Sequence, residues 1–156
     1  MSTNNEKLAE TLNDLVQINN DRIVGYEKAV GLLSAEDVDL KAIFLKMADE
    51  SRGYVSELNS YVMRLGDKPA RDTTVSGKIY RAWMDVKNTF SGSDRKSILE
   101  SCEFGEDAAQ KAYDLALESD AEIDADTRQL IMEQKTSLKN SHDTIKKYRD
   151  MHDASL

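Results

Sequence analysis

Residues 98–117 read "ILESCEFGEDAAQKAYDLAL", and their apolar residues recur at steps of three and four. That spacing places them on one face of an α-helix. The residues of this face are Ile98, Leu99, Cys102, Gly105, Glu106, Ala109, Ala112, Tyr113 and Ala116. One of them, Glu106, is acidic, and a second carboxylate, Glu103, lies three residues before it. The segment therefore predicts a long amphipathic helix that brings carboxylates to a helical core.

The amino-acid composition indicates the fold class. The chain has 156 residues, of which 40% are hydrophobic and 32% are charged, and it contains one proline, Pro69. That length and balance suit one globular domain able to bury its own core. The scarcity of helix-breaking residues favours helices. The sequence therefore predicts a single all-α domain over residues 1–156.

Four long segments, including residues 98–117, show the apolar spacing of an amphipathic helix. Short polar stretches separate the first from the second and the third from the fourth. Each pair is therefore predicted to fold back as an antiparallel hairpin. The first predicted helix spans residues from about 5 to 34, and the third from about 95 to 117. The second begins after a cap at Ser34, Asp37 or Asp39 and ends at 65, and the fourth begins after a cap at Asp124 or Asp126 and ends at about 152. Two such hairpins, packed side by side, make a four-helix bundle.

The segment between the two hairpins is long and contains a helical pattern of its own. Residues 67–77, "DKPARDTTVSG", lack an apolar period and include the proline, which predicts a loop. Residues 78–90, "KIYRAWMDVKNTF", place their large apolar residues on one face and predict a short helix. This crossover helix has more apolar surface than a linker needs. We therefore expect it to cover the bundle or to meet a second subunit.

A four-helix bundle with one long crossover has the connectivity of the ferritin-like folds. Residues 12–29, "LNDLVQINNDRIVGYEKA", residues 80–90, "YRAWMDVKNTF", and residues 98–117 resemble the corresponding helices of an uncharacterised, stress-associated bacterial group of ferritin-like four-helix-bundle proteins. The resemblance covers nearly the whole chain, from Leu8 to Asp150, and rests on general sequence character. It implies the ferritin-like fold more firmly than an activity. The stress-associated members of this group are the only indication of a physiological role.

Metal ligands of the di-iron ferritin-like proteins come from all four helices. One glutamate from each of two helices and a Glu-x-x-His motif from each of the other two point inward. Because each helical residue rises ~1.5 Å, residues equally far from a hairpin turn should lie level. In the second hairpin this counting puts Glu106 level with Lys139 and Glu103 level with His142. The last motif thus keeps its histidine, but its carboxylate is replaced by a lysine, which cannot be a ligand while protonated.

The first hairpin keeps fewer of the expected ligands. Counting from its turn puts Glu50 level with Asn20, which we expect on the inward face of the first helix. Gly53 stands where the histidine of the motif would be. The candidate ligands that remain in the chain are Glu50, Glu106 and His142, with Glu27 and Glu103 as further candidates.

Two hypotheses of function follow. In the first, Glu106 pairs with Lys139 across a bundle whose di-metal site is degenerate and which holds no cofactor. This protein would be non-enzymatic and would act through assembly or partner binding, as a homodimer or with another protein, in the stress response. In the second, Glu50, Glu106 and His142 bind iron or another divalent metal and support an oxidase or metal-handling activity. The sequence favours the first hypothesis.

Charge and hydropathy argue against a nucleic-acid partner, a membrane span and a signal peptide. The formal net charge of −8 argues against nucleic acid, whose binding needs a basic surface. No run of about 18 apolar residues occurs, and the opening residues, "MSTNNEKLAE", lack the apolar stretch of a signal peptide. The single cysteine, Cys102, fits a reducing compartment and is expected to be a buried apolar residue. We therefore expect a cytoplasmic protein without a membrane or nucleic-acid partner.

Overall fold

Helices form the regular structure of the described part of the chain. The computed structural model describes residues 3–66, 77–84, 92, 94–119 and 122–154. The helices are α1 (Asn4–Leu32), α2 (Val38–Arg64), α3 (Lys78–Met84), α4 (Arg95–Leu117) and α5 (Ala125–Ala154). The ends given for the four long helices are confirmed to within two residues. Of the alternative caps, Asp37 precedes α2 and Asp124 precedes α5. The crossover helix is confirmed over α3, and the rest of its predicted span, 85–90, lies outside the described residues.

The four long helices form two antiparallel hairpins. α1 packs along α2, and α4 packs along α5. α1 also contacts α4, which joins the two hairpins, and α3 lies against both α1 and α4. The described residues therefore have the predicted architecture, a four-helix bundle whose hairpins are joined by a long crossover.

Local hydrogen bonds and one glycine fix the ends of the helices. The hydroxyl of Thr3 accepts from the backbone N–H of Glu6 at 3.1 Å and caps α1. Gly66 follows α2 with a φ of 81°, a left-handed conformation that glycine adopts without a steric penalty. The carboxylate of Asp124 accepts from the N–H of Thr127 at 3.2 Å at the start of α5. None of the described helices is both long and apolar enough to cross a membrane.

The core of the bundle is divided into two apolar parts. One part surrounds the α1–α2 turn and includes Leu40 and Phe44, and the other surrounds the α4–α5 turn and includes Leu12 and Leu130. Between them each long helix contributes buried polar side chains at the same level. We call this set the polar layer, and its members are Asn19, Arg22, Ser51, Glu106 and Ser141.

Two carboxylates of α1 hold the crossover helix against the bundle. Asp14 accepts the backbone N–H of Gly77 at 2.9 Å and that of Tyr80 at 3.3 Å. Asp21 accepts the hydroxyl of Tyr80 at 2.7 Å and the indole N–H of Trp83 at 3.0 Å. The approach at Gly77 is close, since a Cβ there would lie 2.2 Å from Oδ2 of Asp14. The side chain of Trp83 is buried in the bundle, so α3 covers the core as the sequence predicted.

We expect Asp14→Ala to lower the free energy of unfolding by about 1–3 kcal/mol, because it leaves the backbone N–H groups of Gly77 and Tyr80 without their acceptor. Urea denaturation followed by circular dichroism measures the change. Glu133→Ala is the control, since Glu133 is an exposed carboxylate within α5. An equal effect of the two substitutions would show that Asp14 does not hold the crossover helix.

Candidate functional site

A buried ion pair lies at the centre of the polar layer. Nε of Arg22, on α1, lies 2.7 Å from Oε1 of Glu106, on α4, and their side chains are 4% and 2% exposed. The hydroxyl of Tyr26 donates to the same oxygen at 2.5 Å. Nη1 of Arg22 donates to the carbonyl oxygen of Met47 at 2.9 Å and to Oγ of Ser51 at 2.7 Å. The guanidinium therefore connects α1, α2 and α4.

Neutral side chains extend this network to the fourth helix. Ser51 donates to Oδ1 of Asn19 at 3.0 Å. Nδ2 of Asn19 donates to the hydroxyl of Tyr113 at 2.9 Å, and that hydroxyl donates to Oε1 of Gln134 at 2.6 Å. Gln134 belongs to α5, so hydrogen bonds cross the whole bundle. Within the described residues, Nη2 of Arg22 and Oε2 of Glu106 have no hydrogen-bond partner.

The charges of the pair set the protonation of their neighbours. Burial opposes the charge of Arg22, but the carboxylate of Glu106 raises the pKa of the guanidinium above its ordinary value. Burial also raises the pKa of Tyr26, and the adjacent Glu106 raises it further. The same two causes raise the pKa of the Cys102 thiol. The raised pKa values of Tyr26 and Cys102 keep these two neighbours of the ion pair neutral near neutral pH.

The prediction that Glu106 pairs with Lys139 is wrong. Lys139 is exposed and pairs with Asp143 of its own helix at 3.0 Å, while Glu106 pairs with Arg22. Counting from the turn gives the height of Lys139 but not the direction in which it points from the axis of α5. Sequence reasoning missed Arg22, although it follows Asn19 by three residues and Ile18 by four on the inward face of α1.

The candidates on the first hairpin have different surroundings from those predicted. Asn20 is exposed, so its placement on the inward face is wrong, and Asn19 points inward instead. Glu50 is half-buried and accepts from the hydroxyl of Ser141 at 3.1 Å. Glu27 is 52% exposed and lies 3.4 Å from a guanidinium nitrogen of Arg52 on the outside of the bundle.

The residues of the polar layer do not fit the two-metal centre that a ferritin-like fold implies. A guanidinium lies against the one carboxylate of the layer, and the remaining members are an amide and two hydroxyls. Two divalent cations need several carboxylates to neutralise and bridge them. Glu50, Glu106 and His142 do not bring ligand atoms into one group within the described residues. Metal binding by these three residues stays a prediction.

A different set of side chains comes together at the edge between α4 and α5. One ligand atom from each of Glu103, Asp107 and His142 lies within 4.8 Å of the others. The sequence placed Glu103 and His142 at one level, and the structure brings them together. It did not identify Asp107, which lies one turn after Glu103 on the same helix.

A family model described as a domain of unknown function, DUF2383, matches residues 7–119. The chain belongs to the DUF2383 family. A search of curated proteins found no match to the sequence of this DUF2383 protein.

Solved structures share the fold of this DUF2383 protein. A mutant of Dps1 from Mycobacterium smegmatis has a TM-score of 0.79 at 12% identity, covering 96% of this chain and 99% of that chain. The bacterioferritin-related protein from Bacteroides fragilis, described as a dodecameric thioferritin, has a TM-score of 0.77 at 15% identity, covering 97% and 88%. The DUF2383 protein therefore has a ferritin-like four-helix-bundle fold, while the extent of the domain, residues 1–156, stays a prediction.

We expect Arg22→Met to lower the free energy of unfolding of this DUF2383 protein by about 3–5 kcal/mol, because it leaves the carboxylate of Glu106 buried without a counter-charge. Denaturant unfolding followed by circular dichroism measures the loss. The matched control is the double variant Arg22→Met with Glu106→Leu, which removes both charges. It should recover most of the loss, because apolar groups of similar volume replace a buried pair at little cost. A double variant as unstable as the single one would show that the hydrogen bonds of Arg22 to α2 dominate.

We expect the thiol of Cys102 to be unreactive toward Ellman's reagent in the folded protein at about pH 8, where an exposed cysteine reacts readily. Burial shields the sulfur and raises its pKa. The absorbance of the released thiolate measures the reaction, and the same protein in denaturant supplies the fully reactive control. Rapid reaction without denaturant would contradict the tight packing of α4 at this position.

Proposed function

We propose that this protein is a non-enzymatic ferritin-like bundle that acts through self-assembly or through a protein partner, with an ion pair in place of a di-metal centre. The buried contact between Arg22 and Glu106 carries the proposal. A guanidinium is permanently charged and has no lone pair for a metal. In the buried layer it also repels divalent cations, and it neutralises the charge of the carboxylate that would otherwise bind them.

Exposed apolar side chains beside the crossover helix support self-assembly. Phe104 and Leu115 are 46% and 37% exposed, and with Trp83 they line a groove of about 280 Å³ between α3 and α4. Apolar surface of this kind marks contact sites when it is contiguous. One structure with the same fold is described as dodecameric. We propose that a second copy of this chain covers the groove and forms a homodimer.

Metal handling is the second candidate function, with iron or another divalent ion and an oxidase activity. The cluster of Glu103, Asp107 and His142 favours it, as does the occurrence of metal centres in the ferritin-like fold. For either function we propose a cytoplasmic protein of the stress response. The single cysteine supports that compartment, and the resemblance to stress-associated proteins supports that setting.

Iron loading tests whether the interior binds metal. The wild-type protein, Glu50→Gln, and the double variant Arg22→Met with Glu106→Leu are incubated with Fe(II) without oxygen and desalted. We expect the three proteins to retain equal amounts of iron, because neither Glu50 nor Glu106 is then a ligand. Circular dichroism confirms that each variant is folded. Iron that is bound by the wild-type protein and lost from a folded variant would overturn the proposal.

Sedimentation velocity tests self-assembly. We expect the wild-type protein to sediment as a dimer, and Phe104→Glu to weaken the dimer at least about tenfold, which corresponds to about 1.4 kcal/mol. Met132→Glu is the matched control, because Met132 is 51% exposed but lies on α5, away from the groove. A monomer at all concentrations would contradict self-assembly and leave a protein partner as the occupant of the groove.

A further inference from the structure

Three side chains with metal-binding chemistry meet at the edge between α4 and α5, outside the polar layer. Glu103 and Asp107 are four residues apart on α4 and so lie on the same helix face. Nε2 of His142, on α5, lies 2.6 Å from Oδ1 of Asp107. The side chains of Glu103 and His142 are 13% and 19% exposed, whereas that of Asp107 is 62% exposed. Two ligands are thus held by the bundle, and the third faces solvent.

A second carboxylate orients the histidine. Nδ1 of His142 lies 3.2 Å from Oδ1 of Asp143, and Oδ2 of Asp143 accepts from the ammonium of Lys139 at 3.0 Å. Nε2, on the other side of the ring, faces Asp107 and Glu103. A metal ion bound to Nε2 would take the place of its contact with Asp107, and Asp143 would hold the proton of Nδ1. Metal-binding histidines have this arrangement, in which a carboxylate behind the ring fixes its tautomer and direction.

The cation next to the cluster, Arg149, differs from Arg22 because its side chain is 28% exposed, whereas that of Arg22 is 4% exposed. Water therefore screens its repulsion of a metal ion. Arg149 donates to Oε2 of Glu103 and also pairs with Asp150 at 3.0 Å. A carboxylate has two oxygens, so Glu103 can keep Arg149 on Oε2 and present Oε1 to an ion. Arg149 is shared with Asp150, and Lys139 pairs with Asp143. Carboxylates therefore outnumber the cations at this edge by two, which favours one divalent cation.

We propose that Glu103, Asp107 and His142 form a binding site for one divalent first-row transition metal at the α4–α5 edge. Imidazole and carboxylate together suit Zn²⁺, Fe²⁺ and Mn²⁺, and three protein ligands leave further positions for water. The site deepens the metal-handling candidate and rests on it. Asp107 also lines the groove between α3 and α4, so the site lies at the edge of the proposed dimer contact. It is also separate from Glu106, which points into the polar layer toward Arg22.

Calorimetric titration with Zn²⁺ of the metal-free, full-length protein tests the site. We expect one equivalent per chain, and we expect Asp107→Asn and His142→Gln each to weaken binding at least about tenfold. Asp114→Asn is the matched control, because Asp114 lies on the same helix and pairs with Lys135 of α5 at 2.5 Å without a histidine. It removes the same charge and should leave the affinity unchanged.

Two results of the titration would overturn the site. Equal weakening by Asp107→Asn and Asp114→Asn, or the absence of saturable binding, would show only diffuse attraction of Zn²⁺ to an acidic surface. Zinc binding that survives Asp107→Asn but is lost in Glu50→Gln would move the ligands to the bundle interior. Sedimentation velocity separates failure of the metal site from failure of self-assembly. His142 does not line the groove between α3 and α4, so we expect His142→Gln to lose Zn²⁺ and to sediment as the wild-type protein does.

The imidazole resonances give a second readout, since His142 and His152 are the two histidines of the chain. The variant His152→Gln assigns them. We expect Zn²⁺ to shift the ring nitrogen signals of His142 and to leave those of His152 in place. Equal shifts of both rings, or a shift of His152 alone, would show non-specific binding and would refute the site.

Discussion

The ion pair between Arg22 and Glu106 joins the two halves of the bundle. Arg22 belongs to the first hairpin and Glu106 to the second, and α1 and α4 make the main contact between the hairpins. Taking either charge out of water without the other costs several kcal/mol. Sliding or rotating one hairpin against the other would separate the two charges inside the core. The pair therefore sets the register of packing, while the apolar parts on either side supply the burial that stabilises the bundle.

At this level of a ferritin-like fold, a guanidinium and a metal centre both neutralise buried carboxylates. Both place positive charge against carboxylates that the bundle buries. A metal centre needs many carboxylates and imidazoles, and its occupancy depends on the ion supply. Arg22 needs one carboxylate, and its Nη1 donates to Met47 and Ser51 of α2. A bundle with an arginine at this level therefore keeps the fold with fewer buried carboxylates than a bundle with a metal centre.

The hydrophobic period was sufficient to predict the helices, because burial of one face decides where a helix forms and ends. It did not predict the partners inside the bundle. Height along a hairpin follows from counting residues, but the direction of a side chain depends on the rotation of its helix. Counting therefore succeeded for Glu103 and His142 and failed for Lys139, which points to solvent. The sequence did not identify Arg22 as the partner of Glu106, because a long cationic side chain is usually exposed.

Glu103 and Glu106 show how a rotation of one helix separates two kinds of chemistry. Three residues turn an α-helix about 60° short of a full circle, so the two carboxylates leave α4 in different directions. Glu106 pairs with Arg22 in the buried polar layer. The low polarity there strengthens the ion pair and prevents other ions from replacing Arg22. Glu103 reaches the half-exposed edge, where Arg149 and His142 approach it from α5. The charge of Glu106 therefore has a structural role, whereas the charge of Glu103 is accessible to an ion. The rotation of α4 about its axis determines which of the two carboxylates is buried.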